Sequence, residues 1–167
     1  MDDRDVVARQ LGRSPRTFRR VAVRCPFGLP AVTEQAPYDS RGRPFPTTYY
    51  VTCPHLVAAV ARLEAAGGVE RWSAAANADP ELRASLERAT TEQRALRREL
   101  AGDERGTDGG ASLHLGIGGA GKPQHLKCLH AHVAFALARP GYELGERILA
   151  DVVDPWPVER CCSVYGI

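Results

Sequence analysis

Hydrophobic and polar residues alternate in the first third of the chain, and after residue 53 apolar residues recur at helical spacing. Three segments rich in β-branched or aromatic residues have the pattern of short strands. They cover residues 18–24, 31–36 and 47–52, after a short helix predicted over 3–12. Because the strands follow one another closely, we expect a small, antiparallel sheet in this third.

The rest of the chain predicts helices with apolar residues three or four positions apart. The first helix is expected from about Leu56 until Gly67-Gly68 ends it. The others are expected over 69–77, from Pro80 to 100, from Pro123 to about 138 and over 143–150. The fold class is therefore α+β: one domain, with a small antiparallel N-terminal sheet covered by about five helices. Residues 1–52 are mainly strands, 53–100 helical, 101–122 a Gly-rich loop, and 123–167 helical with a C-terminal tail that returns as a strand around 158–162.

The helix predicted over 79–100 carries a narrow apolar stripe with one polar residue inside it. The stripe consists of Leu82, Leu86, Ala89, Gln93, Leu96 and Leu100. It spans fewer than three heptads, which favours packing inside the same chain. A protein partner docking on this helix is the alternative.

Composition excludes several classes of protein. The 167 residues are 44% hydrophobic and 25% charged, which is typical of a globular domain and not of a disordered or fibrous chain. The net charge of +2 does not indicate a nucleic-acid partner. Seven arginines against three aspartates in the first 24 residues predict a solvated basic surface, with contact to RNA as the weaker alternative.

The chain begins with Met1-Asp2-Asp3-Arg4-Asp5, unlike a signal peptide, and has no stretch of about 20 apolar residues. We therefore expect a cytoplasmic protein without a membrane partner. Its five cysteines are an odd number, and in that compartment they are expected to be reduced.

One glycine-rich segment has the spacing of a phosphate-binding loop, running from Gly116 to Lys122. The next residue is Pro123, where such a loop needs a hydroxyl for Mg²⁺. A glycine-rich loop without a nucleotide is the favoured interpretation, and a short strand is expected just before it, over 112–115.

Cysteines at the ends of predicted elements suggest a structural centre. Cys25, Cys53, Cys128 and one of Cys161 or Cys162, with Cys162 preferred, would supply four soft ligands suited to Zn²⁺. Each ligand comes from a different segment, so buried thiols in an ordinary core are an equal alternative.

A second hypothesis concerns Lys127 and His130. On the predicted helix from Pro123, His125, Cys128 and His132 share one side, while His130 points away from Cys128 and lies beside Lys127. Lys127 and His130 could then form an anion-binding, acid–base site of a small enzyme acting on a phosphorylated or nucleotide substrate. The leading hypothesis is instead a non-enzymatic adaptor or regulator, and the sequence leaves open whether the protein is an enzyme.

Several blocks of sequence, in order, resemble the domain-of-unknown-function 501 (DUF501) family, which is common in actinobacteria. They are Gln10-Leu11-Gly12-Arg13-Ser14-Pro15-Arg16, Val21-Ala22-Val23-Arg24-Cys25-Pro26-Phe27-Gly28-Leu29-Pro30, Pro44-Phe45-Pro46-Thr47, Ala61-Arg62-Leu63-Glu64 and Lys127-Cys128-Leu129-His130. In the family the first turn is often Cys-Pro-Cys-Gly, whereas this chain has Phe27 in place of the second cysteine. The resemblance implies no defined activity. It implies a genetic context between a septum-formation initiator and an exopolyphosphatase-type phosphatase, and thus a link to cell division or polyphosphate metabolism.

Overall fold

The computed structural model describes residues 2–122, 124–156 and 158–159. In that part of the chain, six α-helices accompany a three-stranded antiparallel sheet, so the predicted α+β fold is confirmed. The strands are β1 (Phe18–Arg24), β2 (Pro30–Gln35) and β3 (Tyr49–Val51). The helices are α1 (Asp3–Leu11), α2 (Pro54–Ala65), α3 (Gly68–Ala78), α4 (Pro80–Ala101), α5 (Leu129–Ala138) and α6 (Glu143–Asp151).

The sheet has the order β1-β2-β3, and its two faces differ in chemistry. Val32 pairs with Val51, and both side chains enter the hydrophobic core. The neighbouring pair, Thr33 and Tyr50, points to the opposite face because side chains alternate along a strand. One face of this small sheet therefore supports the core, and the other is polar.

Helix α5 lies in the centre of the core and is buried on nearly every side. Its Phe135 ring contacts the rings of Tyr49 and Tyr142 edge-on, with both centroid distances at 5.6 Å. Such edge-to-face pairs stabilise aromatic clusters beyond simple burial. This cluster joins β3, α5 and the start of α6.

The apolar stripe of α4 packs inside this chain. Leu82, Leu86 and Ala89 belong to the hydrophobic core, and the buried Gln93 donates a 2.6 Å hydrogen bond to the carbonyl of Gly116. The polar residue in the stripe therefore has a local partner. Most of the stripe is thus covered within the chain, and a protein partner docking on this helix stays a prediction.

The predicted start of the helix after Pro123 is wrong. Residues 126–128 are not helical, and Cys128 is the extended residue that precedes α5. The side chain of Ser73 accepts a hydrogen bond from Leu126 N, and that of Glu64 accepts one from Leu129 N at 2.6 Å. These contacts with α3 and α2 decide where α5 begins, so the predicted shared side of His125, Cys128 and His132 does not form.

Two smaller expectations have different outcomes. The strand predicted over 112–115 is instead a short 3₁₀ helix, Ala111–His114. The strand predicted over 158–162 lies mostly outside the described residues. None of the described helices is long and apolar enough to span a bilayer.

The core contains one histidine. His132 is 2% exposed, and its Nδ1 lies 2.8 Å from the hydroxyl oxygen of Tyr142. Burial lowers the pKa of His132 from 6.5 to about 4, because the surrounding core disfavours the imidazolium. The folded protein therefore holds this side chain neutral across a pH range in which an unfolded chain would protonate it.

This burial predicts a specific loss of stability in mild acid. Above the unfolded pKa of 6.5 both states are neutral, but below it only the unfolded chain gains the proton until pH falls to about 4. Between about pH 7.5 and pH 5, His132 should therefore remove about 2 kcal/mol from the free energy of unfolding. Urea titrations at both pH values should show this loss in the native sequence and a smaller one in His132→Gln, which cannot titrate. Equal losses in the two proteins would contradict the assignment.

Candidate functional site

Helix α2 contacts both ring nitrogens of His130, the histidine of the hypothesised acid–base pair. His130 Nδ1 lies 3.1 Å from Glu64 Oε1, and His130 Nε2 lies 3.1 Å from the carbonyl oxygen of Val57. Both partners are acceptors, so whichever ring nitrogen carries the proton has an acceptor within reach. His130 thus joins α5 to α2.

Lys127 lies in different surroundings. Its side chain is exposed, and Nζ lies 3.9 Å from the point that a Cβ on Gly119 would occupy. His130 instead lines a pocket of about 290 Å³ beside Tyr49, Val57 and Cys128, which Lys127 does not line. The structure does not bring Lys127 and His130 into one pocket, and their joint catalytic role stays a prediction.

Cys128 is a poor nucleophile where it stands. Burial raises the pKa of its thiol, outweighing the opposite effect of the backbone N–H groups of Ala131 and His130. At neutral pH the side chain is therefore a protonated thiol at one wall of the pocket.

The proposed zinc ligands are placed as follows. Cys25 and Cys53 are buried in the hydrophobic core, at 6% and 2% exposure, and Cys128 packs against the same core. Cys161 and Cys162 lie outside the described residues. Within the described ranges, no group of three or more His, Cys, Asp or Glu side chains could hold a metal ion. A zinc site completed by Cys162 stays a prediction.

The glycine-rich segment closes on itself. Gly116 N donates to the carbonyl of Ala120 at 2.8 Å, and Gly119 N donates to the carbonyl of Gly116 at 3.0 Å. These two N–H groups are used within the loop, so they do not cradle a phosphate in this conformation.

A different pocket is lined by arginine side chains. It has a volume of about 240 Å³ and lies where β1 begins and β2 ends, between the end of α1 and the segment 36–46. Arg13, Arg16 and Arg43 line it together with Thr17, Gln35 and Tyr50. Proline at position 15 and the left-handed Gly12 that ends α1 turn the chain so that the first two arginines reach the same pocket.

Most other N-terminal arginines already have acidic partners. Arg19 and Arg20 pair with Glu34, and Arg24 pairs with Asp3. In contrast, Arg13 and Arg16 are exposed, and their side chains make no hydrogen bond or ion pair with any residue in the described ranges. Their guanidinium groups are available for an anion from solution.

The polar floor of the pocket is a directed chain of hydrogen bonds. Thr33 Oγ1 lies 3.3 Å from the carbonyl oxygen of Tyr50, which can only accept, so the Thr33 hydroxyl donates. Gln35 Nε2 therefore donates to Thr33 Oγ1 at 2.6 Å, and Gln35 Oε1 accepts from Thr17 Oγ1 at 2.8 Å. These three hydrogen bonds leave one N–H of Gln35 and the lone pairs of Thr17 Oγ1 unused.

Arg43 is oriented by a turn in its own loop. Asp39 accepts hydrogen bonds from the backbone N–H groups of Arg41 and Arg43 at 2.9 and 3.0 Å, and from Arg43 Nε at 2.8 Å. The Arg43 guanidinium lowers the pKa of Asp39 to about 2. The carboxylate therefore stays charged and fixes Arg43.

A second loop holds this turn against the body of the protein. Tyr38, 4% exposed, donates from its hydroxyl to Asp108 Oδ1 at 3.1 Å, and Thr107 N donates to the carbonyl of Gly42 at 2.7 Å. Gly106 lies directly on the Tyr38 ring, so that a Cβ there would be 2.3 Å from a ring carbon. The position of the Asp39–Arg43 turn thus depends on residues more than sixty positions away in the chain.

The family model for DUF501, described as a protein of unknown function, matches residues 21–150. The chain belongs to the DUF501 family. No curated protein and no solved structure matches this DUF501 protein. The matched range contains Gln35, Asp39, Arg43 and Tyr50 of the pocket and begins after Arg13 and Arg16.

Sequence reasoning identified only part of this pocket. The N-terminal arginines are visible as basic composition, which predicts a solvated surface. Gln35, Arg43 and Tyr50 carry no spacing signal, because the pocket is assembled from four separate segments of the DUF501 chain. Arg13 and Arg16 are distinguished by lacking an acidic partner and by lining the pocket at the same time, and only the fold reveals this combination.

The contact between the two loops gives a matched pair of glycine substitutions. Gly106 and Gly109 both have positive φ, at +56° and +64°, so alanine strains either backbone by about 1 kcal/mol. Only Gly106→Ala also forces a Cβ into the Tyr38 ring, since nothing lies within 4 Å of a Cβ at Gly109. Gly106→Ala should lower the melting temperature clearly more than Gly109→Ala in thermal denaturation. Similar losses in both variants would show that Gly106 does not hold Tyr38.

Proposed function

We propose that this DUF501 protein binds a small phosphate-bearing ligand in the pocket formed by Arg13, Arg16 and Arg43. The observation that carries the proposal is the pair of unpaired guanidinium groups, Arg13 and Arg16, at one pocket with an oriented third arginine. Arginine matches phosphate geometry through paired N–H donors, and charge-assisted hydrogen bonds of this kind are strong.

The pocket favours binding over catalysis. Among its lining residues, the acidic side chain is Asp39, whose pKa near 2 leaves it without proton affinity at neutral pH. A general base needs a pKa closer to the working pH. The proposal therefore keeps the non-enzymatic regulator as the leading class and assigns its ligand site to the N-terminal arginines instead of Lys127 and His130.

Calorimetric titration with inorganic pyrophosphate tests the proposal. Arg13→Ala and Arg16→Ala should each weaken binding at least ten-fold, because each removes a charged hydrogen-bonding partner worth about 1.5–3 kcal/mol. Arg98→Ala is the matched control, since Arg98 is exposed on α4 and its loss changes net charge equally. Affinity should also fall as salt rises.

Two outcomes would overturn the proposal. One is the absence of pyrophosphate binding at low salt to folded protein. The other is an equal loss of affinity in Arg98→Ala and in the two pocket variants, which would reduce the effect to overall charge. Thermal denaturation of each variant establishes that it is folded.

A further inference from the structure

The arginine pocket has a neutral half that a bare phosphate would not use. Thr17 and Gln35 form its floor, at 7% and 3% exposure, and Phe45 and Tyr50 form an aromatic wall. Three arginines explain the recognition of phosphate, but they do not explain a buried threonine–glutamine pair beside two aromatic rings. These groups indicate what else the ligand carries.

The floor offers both a donor and an acceptor. Because the Tyr50 carbonyl fixes the direction of the hydrogen-bond chain, Gln35 retains one N–H and Thr17 Oγ1 retains acceptor lone pairs. Both side chains are locked by their partners, so they do not need to reorganise when a ligand enters. An adjacent donor and acceptor, held rigidly, match the polar edge of a nucleobase.

The wall offers a surface for a planar group. Phe45 and Tyr50 contact each other with ring centroids 5.6 Å apart and planes at 74°, and both are only partly buried. Bases pack on such aromatic side chains, and arginine planes contribute to the same kind of stacking. At about 240 Å³ the pocket is smaller than the usual range of about 300–1,000 Å³ for drug-sized ligands. It therefore suits one nucleotide better than a dinucleotide cofactor.

We propose that the ligand is a nucleotide, with its phosphate among Arg13, Arg16 and Arg43 and its base against Phe45, facing Thr17 and Gln35. This assignment rests on the proposed function and deepens it. A sugar phosphate would use the arginines and the floor but not the wall, and an inorganic phosphate would use only the arginines. The three ligand classes are therefore separable by which parts of the pocket they need.

The experiment compares the four common nucleoside monophosphates with ribose 5-phosphate and pyrophosphate, using the full chain. At least one nucleotide should bind about five-fold or more tightly than ribose 5-phosphate, as expected for one stacked base. Phe45→Leu should remove that advantage and leave pyrophosphate binding unchanged. Phe27→Leu is the matched control, since Phe27 is 43% exposed and does not line the pocket.

Thr17→Val tests the floor separately. The substitution preserves the shape of the side chain and removes the hydroxyl, so nucleotide affinity should fall several-fold while pyrophosphate affinity is retained. Urea titration shows whether Thr17→Val is folded, and Phe45→Leu carries the test if it is not. A single-stranded RNA oligomer added to the series identifies the source of the nucleotide: a tighter oligomer that remains sensitive to Phe45→Leu supports the same contacts within RNA.

The two proposals fail in different ways. If pyrophosphate binds through Arg13 and Arg16 but no nucleotide exceeds ribose 5-phosphate, the pocket is a phosphate site and the nucleotide assignment is wrong. If nucleotides bind more tightly but Phe45→Leu and Thr17→Val have no effect beyond that of Phe27→Leu, the base lies elsewhere and the assignment is also wrong. If none of these probes binds, the proposed function itself is overturned.

Discussion

The hydrogen-bond chain from Thr17 through Gln35 and Thr33 to the Tyr50 carbonyl organises the outer face of the sheet. It crosses from the residue before β1 to β2 and then β3, so it ties the start of β1 to the other two strands on the side away from the core. Such a chain is buried without cost only when each member has a partner. It therefore constrains the strands and the pocket floor together: the contacts that stabilise the polar face of the sheet also set the donor and acceptor that a ligand meets.

The charged groups around this floor are positioned both by neighbours in the sequence and by residues far away in the chain. Asp39 neutralises Arg43 locally, whereas the turn that carries both is held by Tyr38, Asp108 and Gly106. Beneath them lies Arg97 of α4, fully buried, whose three guanidinium nitrogens have no hydrogen-bond partner within the described ranges. Burial lowers the pKa of Arg97, while the nearby Tyr38 and Asp108 act in the opposite direction. The carboxylate of Asp108 thus has two roles. It accepts the hydrogen bond from Tyr38, and its negative charge favours the charged form of the buried Arg97.

How much of this is predictable from the sequence depends on whether a signal is local. Strands and helices with regular periodicity, such as β1 and α4, follow from the pattern alone, and Asp79 caps α4 as its position before Pro80 predicts. The start of α5 does not, because Glu64 and Ser73, from other helices, decide it. The candidate site is less predictable still. Arg13 and Arg16 are conspicuous in the sequence, but Arg19, Arg20 and Arg24 are equally so, and only the fold shows which arginines Glu34 and Asp3 neutralise.

The same comparison of partners decides between the two places where an anion could bind. The first turn of α5 is a helix N-terminus near Lys127, which in isolation favours negative charge. The N–H groups of that turn already have partners in this protein. Glu64 accepts the hydrogen bond from Leu129 N and also pairs with His130, and the Cys128 thiol lies against the next N–H groups. An incoming phosphate there would meet the Glu64 carboxylate. At the arginine pocket the acidic group is committed to Arg43 and two guanidinium groups have no acidic partner, so an anion there gains contacts without displacing any.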